Sequence, residues 1–162
     1  MGKLYKWIAI TDRFSKIYLD KKFEALGINT SQHMFIIHIC ENEGITQDKL
    51  LPLVHLNKSN ITRGLAKLEE NGFIYKEPCI QDKRTARLYP TAKAKAIYQD
   101  IIAIEAQWSN MLTTKLTGAE KSLLLRLMQT TGQTAIDWVA EAEAETGWDH
   151  NSGDSGGEEK DE

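Results

Sequence analysis

The apolar residues of this 162-residue chain recur mainly at intervals of three and four, the spacing of one helical face. The pattern predicts six helices, at residues 3–26, about 30–42, 46–54, 57–71, 91–112 and from 117 onward. The apolar residues of the first helix cover more than one face, so it must be buried on more than one side. One side can pack on its own domain, and the other is expected to meet a second subunit.

A different pattern lies between the fourth and fifth helices. Residues 73–77 are strand-forming, residues 78–86 form a charged loop, and residues 87–89 return as a second strand. A hairpin alone is only marginally stable, so it must lie against the helices. Ile45, just before the third helix, is predicted to form a short edge strand.

Two prolines lie where the predicted geometry is hardest to satisfy. Pro52 falls inside the third helix, where it removes one hydrogen bond and clashes with the preceding turn, at a cost of about 3 kcal/mol. That helix is therefore predicted to be short, kinked, or to begin later. Pro90 stands directly before Thr91, the predicted cap of the fifth helix.

The last two helices carry their own signals. The fifth has apolar residues spaced 3, 4, 3, 4, 3, a heptad seam of the coiled-coil type, at Ala94, Ile97, Ile101, Ile104, Trp108 and Met111. Thr117 and Glu120 form a capping box that opens the sixth helix. Residues 146–162 are rich in glycine, serine and acids, and are predicted to be a disordered acidic tail.

The formal net charge of −3 hides a strong asymmetry along the chain. Residues 58–95 hold nine basic and four acidic residues, whereas residues 149–162 hold six acidic residues and one lysine. A positive excess concentrated around one helix and one hairpin favours a polyanionic partner. With no apolar run of about 18–20 residues, the chain is expected to be cytoplasmic and to lack a membrane span.

The third and fourth helices fit a helix-turn-helix, with the fourth as the reader of a DNA major groove. Its outer positions offer donors, acceptors and positive charges at its N-terminal half. These candidate DNA-binding residues are Lys58, Ser59, Asn60, Thr62, Arg63 and Lys67. A plain solvated helix face is the alternative reading of this helix alone.

The charged loop after the reader is typical of the wing of a winged helix. Lys83, Arg84 and Arg87 are its candidate DNA contacts, with Arg84 suited to a narrow minor groove. Asp82 is placed to brace Arg84 or Arg87. Considered by itself, the same loop can be interpreted as an ordinary solvated turn. Helix and hairpin together predict a protein that binds double-stranded DNA.

These residues resemble the winged helix-turn-helix of the MarR (multiple antibiotic resistance regulator) family. The resemblance covers about residues 3–142 and rests on three stretches of motif. They are Lys58-Ser59-x-Ile61-Thr62-Arg63, Leu68-Glu69-x-x-Gly72-Phe73-Ile74, and Asp82-x-Arg84-x-x-Arg87 followed by Thr91. Pro52 and Pro90, the latter in place of the usual leucine, depart from the family pattern.

The resemblance implies a mainly α fold, a winged helix-turn-helix with a two-stranded wing and long N- and C-terminal dimerisation helices. The DNA-binding lobe is expected at 28–91 and the dimerisation region at 3–27 and 92–145. It further implies a homodimeric repressor that binds a near-palindromic operator and is released by a small apolar or phenolic effector. Four aromatic residues are candidates for lining the effector site, although plain core positions are the alternative: Trp7, Phe14, Phe35 and Trp108.

The sequence gives weaker support to other functions. A dimeric winged helix used for protein docking is the main alternative to DNA binding. A metal-sensing regulator would have to use scattered residues without the usual ligand spacing, namely His33, His38, Glu41, Glu43 and His55. A redox-sensing regulator would use Cys40 or Cys79. No nucleophile–base spacing or phosphate-binding loop indicates an enzyme, and no cofactor is predicted.

Overall fold

The computed structural model of the protein describes residues 2–79 and 86–146. Its contacts divide the chain into two compact units, residues 1–112 and residues 113–162. Within the described ranges, no helix is long and apolar enough to cross a membrane. The helices are α1 (Lys3–Phe23), α2 (His33–Glu41), α3 (Gln47–Val54), α4 (Lys58–Glu70), α5 (Ala92–Leu112) and α6 (Gly118–Thr146). The strands are β1 (Ile45–Thr46), β2 (Ile74–Pro78) and β3 (Ala86–Pro90).

The mainly α class and the winged helix-turn-helix are confirmed. The predicted hairpin is the pair β2–β3, and β1 joins the free edge of β3 to give the antiparallel order β1-β3-β2. Leu88 is the central residue of this small sheet, paired with Ile45 on one side and Lys76 on the other. Its side chain is buried, which fixes the sheet against the helices. The short edge strand predicted at Ile45 is therefore confirmed.

The core of the first unit is formed by the inner faces of α2, α3, α4 and α5 with the sheet. Its largest fully buried side chains include Phe23, Phe35, Phe73, Ile61, Leu65 and Leu68. The last three are the buried residues of α4, spaced four and three apart on its inward face. Chain reversals at the ends of α1 and α4 use left-handed glycines, Gly27 with φ 75° and Gly72 with φ 72°. These two positions need glycine because other residues rarely adopt such backbone angles.

Pro52 lies inside α3, which is only eight residues long and ends two residues after it, as the prediction of a short helix requires. Pro52 has no N–H to donate to the Asp48 carbonyl, and His55 closes the helix in a left-handed conformation with φ 49°. Pro90 closes β3 opposite Ile74. The next backbone N–H, from Thr91, then donates to the Phe73 carbonyl at 2.9 Å. Pro90 therefore marks the end of β3, whereas Pro52 lies within α3.

The start of α2 differs from the prediction. The sequence predicts a start at about residue 30, but the helix begins at His33, with Gln32 at the N-cap position. The Asn29 side chain instead accepts hydrogen bonds from the backbone N–H and the hydroxyl of Ser31, at 3.0 and 2.6 Å. An Asx turn of this kind delays the helix by about one turn.

The heptad seam of α5 is largely satisfied within its own unit. Ala94 and Ile101 are fully buried, and α5 packs on α2 and α1. Met111, at the end of the seam, is 48% exposed. The seam is thus mainly an intrachain contact of the first unit.

In the second unit, the capping box that opens α6 is confirmed. The Thr117 N–H donates to Glu120 Oε2 at 2.8 Å, and the Glu120 N–H donates to the Thr117 hydroxyl at 3.4 Å. These hydrogen bonds from Thr117 lower the pKa of the Glu120 carboxyl.

Candidate nucleic-acid interface

The reader helix α4 is held at its N-terminus by a side-chain cap. Asn57 Oδ1 accepts a hydrogen bond from the backbone N–H of Asn60 at 2.7 Å. A cap of this type typically contributes about 0.5–2 kcal/mol to helix stability. Lys58 and Ser59 follow the cap and are exposed, so they flank the positive end of the helix dipole. This arrangement can receive a DNA phosphate.

A glycine sets how closely α4 approaches α2. A Cβ atom placed on Gly64 would lie 2.5 Å from Cε2 of Phe35, far inside van der Waals contact. The Phe35 ring is itself fully buried, with 1% of its surface exposed. The position of the reader helix on its lobe therefore depends on the absence of a side chain at residue 64.

The outer face of α4 carries Arg63 and Lys67 in ordered arrangements. Arg63 Nη2 donates to the Asn60 side-chain oxygen, one helical turn earlier. Lys67 Nζ lies 2.8 Å from Glu70 Oε2, and this exposed pair lowers the pKa of Glu70. Both cations remain on the solvent side of the helix, where a groove of about 12 Å width could receive them.

Thr62 is more constrained than its sequence position indicates. Its hydroxyl donates to the backbone carbonyl of Lys58 at 2.9 Å. The same oxygen accepts a hydrogen bond from Gln47 Nε2 on α3, also at 2.9 Å. Gln47 was not among the predicted site residues, because nothing in the local pattern links it to a residue fifteen positions later.

At the base of the wing, Arg87 is exposed on β3 opposite Glu77 and Thr46. Its Nη1 donates to the backbone carbonyl of Gly44 at 3.3 Å, a partner that the sequence did not predict. Asp82, Lys83 and Arg84 lie outside the described residues, so the minor-groove contact and the bracing by Asp82 stay predictions. Arg87 also lines an open cleft of about 470 Å³ with a second cation, Lys49.

The four aromatic candidates for an effector site have different surroundings. Phe35 is in the core, whereas Trp7 and Phe14 are 63% and 58% exposed on α1. Trp108 stacks on Tyr18 with ring centroids 4.4 Å apart, and its Nε1 donates to the Ser15 hydroxyl at 2.9 Å. The role of these four residues in effector binding stays a prediction.

His33, one of the histidines considered as metal ligands, already has other partners. His33 Nε2 lies 2.9 Å from Glu105 Oε1, and its Nδ1 lies 2.7 Å from the Thr30 carbonyl oxygen. Its ring also stacks on Phe23. Across residues 2–79 and 86–146, no three His, Cys, Asp or Glu side chains are grouped to hold a metal ion.

Cys40 is a poor candidate for redox control. Burial raises the pKa of its thiol, nearby Lys95 opposes this effect, and Glu43 and Glu41 add to it. Because the thiolate is the reactive form, Cys40 in a Cys79→Ser variant should react with iodoacetamide at pH 7 more slowly than it does in the urea-unfolded chain. Equal rates in the folded and unfolded protein would contradict this assignment.

The fold and the exposed polar face of α4 define a winged helix-turn-helix protein. The MarR family profile matches residues 28–86, which span α2 to the start of β3. The HTH-type transcriptional regulator YybA of Bacillus subtilis strain 168 is 30% identical over 107 residues, 66% of this chain and 71% of that protein. The chain therefore belongs to the MarR family.

Solved structures agree with this assignment. A MarR protein from Peptoclostridium difficile DA00132 has a TM-score of 0.80 at 25% identity, covering 85% of this chain and 90% of that chain. A protein of Listeria monocytogenes, described as a MarR-family transcriptional regulator and solved with a 26-mer DNA, has a TM-score of 0.77 at 26% identity. That alignment covers 86% of this chain and 93% of the other. The protein is accordingly a DNA-binding transcriptional regulator and not an enzyme.

Proposed function

We propose that the protein is a homodimeric repressor that binds a near-palindromic operator and is released by a small apolar or phenolic effector. The observation that carries this proposal is the construction of α4. The helix is capped at Asn57, fitted closely against Phe35, and exposes Thr62 and Arg63, with Asn60 partly exposed beside them. Such a helix, positioned rigidly with its polar face open, is suited to read base edges in a major groove.

In this proposal the chain has three functional regions. Residues 28–91 form the DNA-binding lobe, and residues 3–27 and 92–145 form the dimerisation region. Residues 146–162 form an acidic tail whose charge opposes that of the reader lobe. Two lobes in a symmetric dimer would enter successive major grooves about 34–36 Å apart. An effector that changes this spacing would weaken binding, since both half-sites must be met together.

Support for the dimer comes from apolar side chains that the single chain leaves uncovered. On α1, the exposed fractions are 64% for Leu4, 63% for Trp7, 58% for Phe14 and 57% for Ile17. In the second unit, α6 exposes a further set: Leu123, Leu124, Leu125, Leu127, Met128, Ile136, Trp138 and Val139. Large apolar surfaces of this kind mark interaction sites on soluble proteins.

Sedimentation equilibrium tests the assembly directly. The wild-type chain should sediment as a dimer, and its complex with a DNA site selected from random duplexes should contain two protomers. Phe14→Asp places a charge on the uncovered face of α1 and should shift the protein toward monomer. Lys16→Ala, which removes only an exposed pair with Asp12, is the matched control and should remain dimeric. A stable folded wild-type monomer would overturn the proposal.

A further inference from the structure

We propose that Gln47 and Thr62 act as one unit that reads the 5-methyl group of a thymine in each DNA half-site. Thr62 is the contact residue, and Gln47 is a positioning residue that holds it. The inference rests on the proposed function, because it requires α4 to lie in a major groove.

The hydrogen bonds of Thr62 decide which part of its side chain remains available. A hydroxyl has one donor and two acceptor positions. The donor is used by the Lys58 carbonyl at 2.9 Å, and one acceptor is used by Gln47 Nε2 at 2.9 Å. Thr62 therefore has no free donor and only one acceptor position left for a base edge. This differs from the donor-and-acceptor role that its sequence position implies.

The remaining feature of Thr62 is its methyl group. Thr62 is exposed on α4 while its hydroxyl is fixed against the carbonyl of its own helix and against α3. Thymine carries a C5-methyl group on its major-groove edge, and a threonine methyl is one of the apolar partners that contact it. On an exposed residue whose hydroxyl is held in this way, the methyl group is the part suited to a base edge, and it selects thymine.

Gln47 gives this contact a fixed geometry. It is the first residue of α3, and its amide bridges the two helices of the helix-turn-helix. A threonine in a helix divides between two rotamers because either can bond an earlier carbonyl. The bond from Gln47 adds a second constraint on the hydroxyl and so favours one rotamer. Without this hydrogen bond, the methyl group would populate two orientations.

The test combines methyl deletion in the DNA with methyl deletion in the protein. A binding site is first selected from random duplexes with the full-length wild-type chain, and each thymine is then replaced by deoxyuridine. At one position per half-site, wild type should lose about fourfold in affinity, the value expected for one methyl group removed from a contact. Thr62→Ser keeps the hydroxyl but lacks the methyl, and should bind both duplexes equally. Thr62→Val keeps a methyl and should still discriminate.

The role of Gln47 is measured in the same assay. Gln47→Ala should reduce the thymine-to-uracil discrimination while leaving the salt dependence of binding unchanged, since no phosphate contact is lost. Lys67→Ala is the matched control. It should weaken binding to both duplexes alike and keep the discrimination.

Four results would overturn the inference or part of it. If no thymine position is sensitive in wild type, or if Thr62→Ser discriminates as well as wild type, the methyl contact does not exist. If Gln47→Ala discriminates as wild type does, Gln47 has no positioning role. If the selection yields no preferred sequence, the proposed function fails together with the inference.

Discussion

Replacing Gly64 with alanine is expected to destabilise the folded protein by about 1–3 kcal/mol, the range for overpacking a filled core. In an exposed helix the same change would stabilise by up to about 1 kcal/mol, because alanine favours helix more than glycine does. Here the added Cβ would meet Phe35 Cε2 at 2.5 Å and Cζ at 3.1 Å. The Phe35 ring is buried and cannot move into solvent, so α4 must shift away from α2.

Urea unfolding of the wild type and of the Gly64→Ala variant measures this difference in the free energy of unfolding. Phe35→Leu provides the matched test, because leucine lacks the two ring atoms that lie nearest. Phe35→Leu alone should destabilise the protein through lost packing. The double variant with Gly64→Ala and Phe35→Leu should be more stable than the sum of the two single effects predicts, by at least about 0.5 kcal/mol. Simple additivity, or stabilisation by Gly64→Ala alone, would show that α4 does not approach α2 this closely.

Replacing Arg63 with alanine is expected to lower the affinity for a selected DNA site by about 5- to 150-fold per half-site. The reason is that Arg63 is exposed on the outer face of α4, with its guanidinium oriented by the Asn60 side chain one turn earlier. Asn60→Ala should have a smaller effect of the same kind, because it removes the orienting partner and leaves the charge. In a symmetric dimer, each change acts at both half-sites.

Fluorescence anisotropy with the selected and a scrambled duplex distinguishes a base contact of Arg63 from a phosphate contact. Loss of a base contact should weaken binding to the selected duplex far more than to the scrambled one. Arg126→Ala removes the same charge from α6, outside the reader lobe, and serves as the control with unchanged affinity. Equal loss on both duplexes would assign Arg63 to the phosphate backbone.

Features set by short-range rules were predictable from the sequence. The inward row of α4, the left-handed Gly72 and the capping box at Thr117 each depend on residues within one or two helical turns. The winged hairpin was predictable because its strand-forming segments border a charged loop. The structure contains the first three and pairs the two strands of the hairpin.

Features that join distant parts of the chain were not predictable. Gln47 reaches Thr62 across the turn between α3 and α4, and Arg87 bonds to the Gly44 carbonyl forty-three residues earlier. The close approach of Gly64 to Phe35 likewise depends on how two helices cross. A single sequence carries the chemistry of these residues but not their distances. The sequence therefore predicted a donor-and-acceptor role for Thr62, whereas in the structure its hydroxyl is occupied by Gln47 and by the Lys58 carbonyl.

A salt titration of DNA binding tests the central claim, that α4 and the wing form the DNA-binding surface. The wild-type protein on its selected site should show an affinity that falls linearly with salt concentration on logarithmic axes, with a slope of about −0.9 for each phosphate neutralised. A variant carrying both Arg63→Ala and Arg84→Ala should bind this site far more weakly. An affinity that is independent of salt, or unchanged in this double variant, would contradict the account.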